Sequence, residues 1–119
     1  MTNELEALAR RAIVCPKWKW LPGMRVIRED GKGFNLACEV AASKVSVAWI
    51  PDLTDPATVG CLLALVREAY RECKVWVMPR NVGFIVTVQA RGGMGSGLLQ
   101  TNFGTTEADA LVAALEAAK

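Results

Sequence analysis

The sequence contains no histidine, and its four cysteines lie far apart, with no Cys-x-x-Cys pair. Cysteine and serine nucleophiles usually depend on a histidine base, and structural zinc sites usually use closely spaced ligand pairs. Solvation or helix capping accounts for the carboxylates near turns, such as Asp52 and Asp55. We therefore expect a protein that is not an enzyme and has no catalytic, cofactor-binding or metal-binding residues.

Long apolar runs are also missing. No stretch approaches the roughly 18 consecutive apolar residues of a membrane helix, and the first residues show no basic-then-apolar signal segment. The apolar content of 52% over 119 residues is enough to form one buried core. These features predict a single domain, residues 1–119, that lies in the cytoplasm and does not associate with membranes.

Strong charge of one sign is absent as well. The net charge is +2, with seven Lys/Arg against four Asp/Glu in residues 1–33 and seven against eight afterwards. This balance does not by itself indicate nucleic-acid binding, but it places a mildly basic surface in the N-terminal third.

The clearest pattern that is present is a helix over residues 55–73. Asp55 suits an N-cap because it precedes a proline, and Pro56 suits the first helical position. Apolar residues then recur at helical spacing, which predicts a buried stripe that a charge at Leu63 would disrupt. The stripe consists of Val59, Leu62, Leu63, Val66, Ala69 and Tyr70.

The remaining segments predict an α+β fold in the order α-βββ-α-βββ-α. A helix over residues 4–14, capped by Asn3, precedes three strands: 24–28, 34–41 after an Asp-Gly hairpin, and 45–49 with Val45, Val47 and Trp49 inward. Strands at 75–78, 84–90 and 98–103 follow the central helix, and Thr106 with Asp109 predicts a capping box on the last helix.

The second half has the helix, three strands, helix order of a double-stranded RNA-binding domain. Such domains place basic residues at the start of the second helix, whereas this chain has Glu107 and Asp109 there. The similarity is therefore one of topology only.

The segment CPKWKWLPGMRV has the most unusual composition. In an extended chain, Trp18 and Trp20 would share one face and Lys17 and Lys19 the other, which argues against a platform for stacked bases. The tryptophans either cover the core or form a patch for a partner.

The glycine-rich loop and the cysteines are both expected to have structural roles. The loop RGGMGSG, residues 91–97, is followed by a strand-like segment and not by a helix, so it predicts a hairpin loop and not a phosphate site, although Met94 could contact a partner. The cysteines are expected to be reduced and buried, with Cys38 and Cys61 on apolar faces.

The blocks CPKWKWLPGMRV, PDLTDPATVGCLLALVREAY and TTEADALVAALEAA resemble a widespread family of small bacteriophage and prophage proteins. The family has no established activity, so the resemblance implies origin and fold and supplies no catalytic residues. It leads to the hypothesis of a non-enzymatic phage accessory protein that binds a host or phage protein, for example against host defence. The contact would use the Trp18/Trp20 region or the glycine-rich loop.

Two alternatives remain open. The first is weak nucleic-acid binding through the N-terminal cations, namely Arg10, Arg11, Lys17, Lys19, Arg25 and Arg28. The second is a small-molecule pocket lined by Trp18, Trp20 and Trp49. Self-association is also compatible with the sequence, because edge strands need covering.

Overall fold

A computed structural model of the chain describes residues 3–71, 73–90 and 98–118. In these ranges the chain forms the predicted α+β fold, with two three-stranded antiparallel sheets and one short helix beyond the predicted order. The elements are α1 (Asn3–Ile13), β1 (Arg25–Ile27), β2 (Gly33–Asn35), α2 (Glu39–Ala42), β3 (Ile50–Pro51), α3 (Pro56–Ala69), β4 (Cys73–Pro79), β5 (Phe84–Ala90), β6 (Leu98–Gly104) and α4 (Glu107–Ala117). Asn3 belongs to α1 itself and does not precede it as a cap.

The first sheet has the order β2-β1-β3 and is much shorter than predicted. Gly31, with a φ of 84°, allows the tight turn between β1 and β2. The strand predicted to reach residue 41 ends at Asn35. Leu36 still exchanges backbone hydrogen bonds with Gly23 and Met24, and the partner chain turns at Gly23 (φ 97°). Residues 39–42 form α2 instead, so Cys38 and Val40 are exposed, contrary to the prediction.

The third strand is also displaced from its predicted position. Two turns, closed by bonds from the Lys44 N–H to the Ala41 carbonyl and from the Trp49 N–H to the Ser46 carbonyl, occupy most of residues 41–49. Pairing with β1 begins only at Ile50. The prediction that Val47 points inward is therefore wrong: its side chain is 96% exposed.

Helix α3 begins as its sequence predicts. The Asp55 carboxylate accepts a 3.1 Å hydrogen bond from the Thr58 N–H, and Pro56 occupies the first turn. The buried face is Thr58, Leu62, Leu65 and Val66, so it is rotated from the predicted stripe, and Leu63 is only half-buried. The rotation follows from packing, because α3 contacts both α4 and β4.

The second sheet has the order β4-β5-β6, and α4 is the most enclosed helix. The predicted capping box is present, with the Asp109 N–H donating to Thr106 and the Asp109 carboxylate accepting from the Thr106 N–H. Helix α4 contacts β5, β6, α3 and α1. Its alanines allow this close approach on several sides; the buried residues are Ala108, Ala110, Leu111, Val112, Ala114 and Leu115.

None of the helices in the described ranges is long and apolar enough to cross a membrane.

Candidate binding cleft

The segment after α1 is fixed by its backbone and its two tryptophans. The Cys15 N–H donates to the Ala12 carbonyl and the Trp18 N–H to the Cys15 carbonyl, which turns the chain away from the helix. The Trp18 and Trp20 rings meet edge to face, with centroids 5.3 Å apart, and both pack against the core. Lys17, before the two tryptophans, and Lys19, between them, are exposed. The tryptophans thus anchor a segment whose lysines face solvent.

A cleft of about 420 Å³ separates this segment from the C-terminal turns of α3. Its apolar part consists of Trp18, Leu65 and Ala69. Its charged residues are exposed at the rim: Lys17, Lys19, Glu68 and Arg71. We call these lining residues, together with Pro16, the Trp18 cleft. It combines an apolar floor with a predominantly cationic rim.

The rim cations gather around one carboxylate. The Lys19 ammonium group donates a 2.7 Å hydrogen bond to the Glu68 carboxylate. This bond lowers the pKa of Glu68, and the charges of Lys19, Arg71 and Lys17 lower it further. Three cations against one carboxylate leave the rim positive by about two charges, so a second anion would be attracted to it.

Trp18 also carries an unpaired donor. The Trp18 Nε1 atom is buried and has no hydrogen-bond partner within the described residues. Burying such a donor without a partner costs about 1–3 kcal/mol. Trp18 therefore both lines the cleft and retains a hydrogen-bonding group that the described chain does not use.

The other predicted contact residues lie elsewhere. Arg25 on β1 forms an ion pair with Asp52 at 3.5 Å and does not line the Trp18 cleft. Trp20 lines a separate cavity of about 350 Å³ together with Lys19 and Ala42. Met94 lies outside the described residues. The structure thus brings Lys17, Trp18 and Lys19 together in one site and places Arg25 apart from it.

Sequence reasoning missed the contribution of α3 to the cleft. Leu65 and Glu68 are spaced three residues apart and so share one side of the helix, and Arg71 lies in the turn just after it. From the sequence alone, Leu65 widens the apolar stripe and the two charged residues face solvent, because nothing local indicates which segment lies opposite. The one available signal for this contact was the acidic Glu68 on α3, which is complementary in charge to Lys17 and Lys19.

Most cations of the N-terminal third are held by the protein itself. Arg10 pairs with Glu6 at 2.9 Å, and Arg11 makes two hydrogen bonds to Glu116 on α4. The Glu116 bond is the main cause of the raised pKa of Arg11. Arg28 lies over the Phe34 ring, 5.6 Å from its centroid. Within the described residues, Lys17 makes no ion pair.

The four cysteines, all within the described residues, form no disulfide and lie far apart. Cys15 is buried, Cys61 and Cys73 are half-buried, and burial raises the pKa of both Cys15 and Cys61. No cluster of three potential metal ligands occurs in the described part of the chain. Trp49 packs edge to face on Phe34, and Trp18 and Trp20 line different cavities, so the three tryptophans of the proposed small-molecule pocket are divided.

Comparisons with protein-family models, with curated proteins and with solved structures gave no match.

Proposed function

We propose that this protein acts by binding, and that the Trp18 cleft receives an acidic segment of a partner protein. The observation that carries the proposal is the convergence of Lys17, Lys19 and Arg71 on the Glu68 carboxylate beside an apolar floor. A partner carboxylate would meet the same cations, and an apolar side chain next to it would cover Trp18 and Ala69. Charge complementarity of this kind raises association rates and selects the partner.

The three sequence blocks that resemble phage proteins support a wider proposal. In it, the protein is a phage accessory protein without enzymatic activity, and its partner is a host or phage protein in the bacterial cytoplasm.

The test is capture from a nuclease-treated bacterial lysate with the immobilised full chain. A Lys17→Glu/Arg71→Glu variant reverses the rim charge, and Lys32→Glu/Arg80→Glu makes the same charge change at exposed positions outside the cleft. Carbodiimide treatment then joins lysine amines to carboxylates in direct contact. We expect the wild type and the control to capture the same protein, cross-linked from Lys17 or Lys19 to an Asp or Glu.

Capture by the cleft variant at the wild-type level would contradict the proposal, and so would the absence of any protein above background. Cross-links that avoid both lysines would place the contact elsewhere on the molecule.

Nucleic-acid binding by the N-terminal third remains the second hypothesis. Internal carboxylates neutralise Arg10, Arg11, Lys19 and Arg25, which leaves few free charges for phosphates. A filter-binding assay at about 50 mM salt tests it, because phosphate contacts are strongest at low salt. Retained DNA or RNA that is released at about 200 mM salt would favour this function over the acidic segment.

A further inference from the structure

The sheet of β4, β5 and β6 has two faces, of which one packs on the helices. Val75, Val86 and Val88 point into the core that α3 and α4 share with the sheet. The strand register places the alternate residues on the opposite side, which we call the outer face. Its central residues are Trp76, Met78, Ile85, Thr87, Thr101 and Phe103.

The outer face is apolar and accessible. Phe103 is 56% exposed, and Trp76, Met78 and Ile85 are half-buried. None of these four belongs to the core or to the residues packed against it. Among the described residues the one charge on this face is Lys74, the second residue of β4. An exposed Phe beside half-buried Trp and Met, on a surface with so little charge, is typical of protein interfaces.

The shape of the outer face is asymmetric across the strands. Trp76 on β4 lies opposite Thr87 on β5, and Thr87 lies opposite Thr101 on β6. The side chains of this row therefore become smaller from β4 to β6. The adjacent row runs from Met78 through Ile85 to Phe103. Thr87 is only 6% exposed, so its neighbours on this face already close over it. The face thus protrudes along β4 and, in the row of Trp76, Thr87 and Thr101, is recessed along β6.

We propose that the outer face binds the outer face of a second copy of this chain. A two-fold axis parallel to the strands places β4 of each copy over β6 of the other. Trp76 then fills the recess above Thr101 of the second copy. Met78 contacts Phe103 of the second copy, which is a favourable sulfur–aromatic pair. Two such sheets pack about 10 Å apart in known sandwiches. The centre of this interface buries no charge, which is why a copy of the same face is a suitable partner.

The small size of the face limits the strength of the association. Three strands of seven residues, at about 4.8 Å between strands and about 3.4 Å per residue, cover roughly 340 Å². A standard stable interface buries about 800 Å² per partner. We therefore expect a weak and reversible dimer that forms at high concentration. This inference does not depend on the proposed function of the Trp18 cleft.

The test is sedimentation velocity in reducing buffer, which prevents disulfide dimers through the exposed Cys38. Across about 10–500 µM, which lies between the micromolar and millimolar Kd values of weak complexes, we expect the mass to rise from 12.9 kDa toward twice that value. Phe103→Lys should weaken the association at least tenfold. Val47→Lys, at a 96% exposed position of the first half, should leave it unchanged.

A further variant tests the orientation. Thr101→Trp fills the space that Trp76 of the second copy would occupy, so it should weaken the dimer, whereas Thr101→Ser should not. Circular dichroism checks that each variant is folded. A monomer at every concentration would overturn the proposal, as would a dimer that Phe103→Lys does not affect. A dimer strengthened by Thr101→Trp would overturn the two-fold axis parallel to the strands.

Discussion

The Lys19 ammonium group and the Glu68 carboxylate, 49 residues apart in sequence, form a 2.7 Å hydrogen bond across the mouth of the Trp18 cleft. The bond joins the segment after α1 to the C-terminal turns of α3. It also shows that the cationic rim already holds one carboxylate. In the proposed complex, an acidic residue of the partner would take the position that Glu68 occupies in the free protein.

The first prediction concerns the titration of Glu68. Because Lys19 stabilises the ionised form, the carboxyl resonance of Glu68 should titrate below the pKa of a model-peptide glutamate, and Lys19→Met should raise the midpoint. A lowered folded-state pKa stabilises the protein above the unfolded pKa, and that contribution disappears as the pH falls through the folded value. Both side chains are exposed, so Glu68→Gln should not shift the thermal midpoint measurably. An unshifted titration in the wild type would contradict the ion pair.

The second prediction concerns Thr58, whose hydroxyl joins α3 to the first sheet. It accepts a 2.7 Å hydrogen bond from the Arg25 N–H and donates one of 2.9 Å to the Asp55 carboxylate. Thr58 is fully buried, so Thr58→Val would leave the Arg25 N–H unpaired and destabilise the protein by about 1–3 kcal/mol. Urea unfolding measures this. Thr58→Ser keeps the hydroxyl and should lose less; a Val variant as stable as the Ser variant would show that the bond contributes nothing.

The third prediction concerns Gly104, where β6 meets the start of α4. A Cβ atom there would collide with the Ala110 nitrogen and the Asp109 side chain. Gly104→Ala should therefore destabilise the protein by about 1–3 kcal/mol, as overpacking does. Gly60 is exposed on α3 with open space around it, so Gly60→Ala should stabilise by about 0.5–1 kcal/mol. Thermal unfolding of both variants checks the pair, and equal effects would contradict the close strand–helix approach.

The fourth prediction concerns thiol reactivity. Cys38 is exposed, whereas Cys15 is buried and burial raises its pKa, so less of Cys15 is present as thiolate. Cys38 should react first with a disulfide reagent at mildly alkaline pH, and Cys38→Ser should remove the fast phase that Cys61→Ser leaves in place. Mass spectrometry of the labelled peptides identifies the site. A fast phase that persists in Cys38→Ser would place another thiol at the surface.

The features that sequence reasoning predicted correctly are set by short segments. The caps at Asp55 and Thr106 depend on three or four consecutive residues, so the sequence shows them directly. The alternation over residues 34–41 failed as a strand prediction because a strand also needs a partner, and the neighbouring chain turns at Gly23. Neither turn nor partner is visible within the alternating residues themselves.

The candidate site was predicted only in part, because it too depends on contact between segments that are distant in sequence. The composition around Trp18 singled out the segment after α1, but the opposite wall of the cleft comes from Leu65 and Glu68 on α3 and from Arg71 just after it. Helical spacing placed Leu63 in the stripe, whereas packing against α4 and β4 buries Leu65 to 1% exposure. The choice between them depends on tertiary packing, which a single sequence does not display.

The most direct measurement of the central claim is the affinity of the captured partner's acidic segment for Glu68→Gln, determined by fluorescence anisotropy. Removing the internal carboxylate frees Lys19, so we predict binding tighter by about twofold to fivefold, the range expected for one exposed ion pair. Glu4→Gln removes the same charge from an exposed position of α1 outside the cleft and should leave the affinity unchanged. Binding that is unchanged or weaker in Glu68→Gln would contradict the claim that the Trp18 cleft holds an acidic partner.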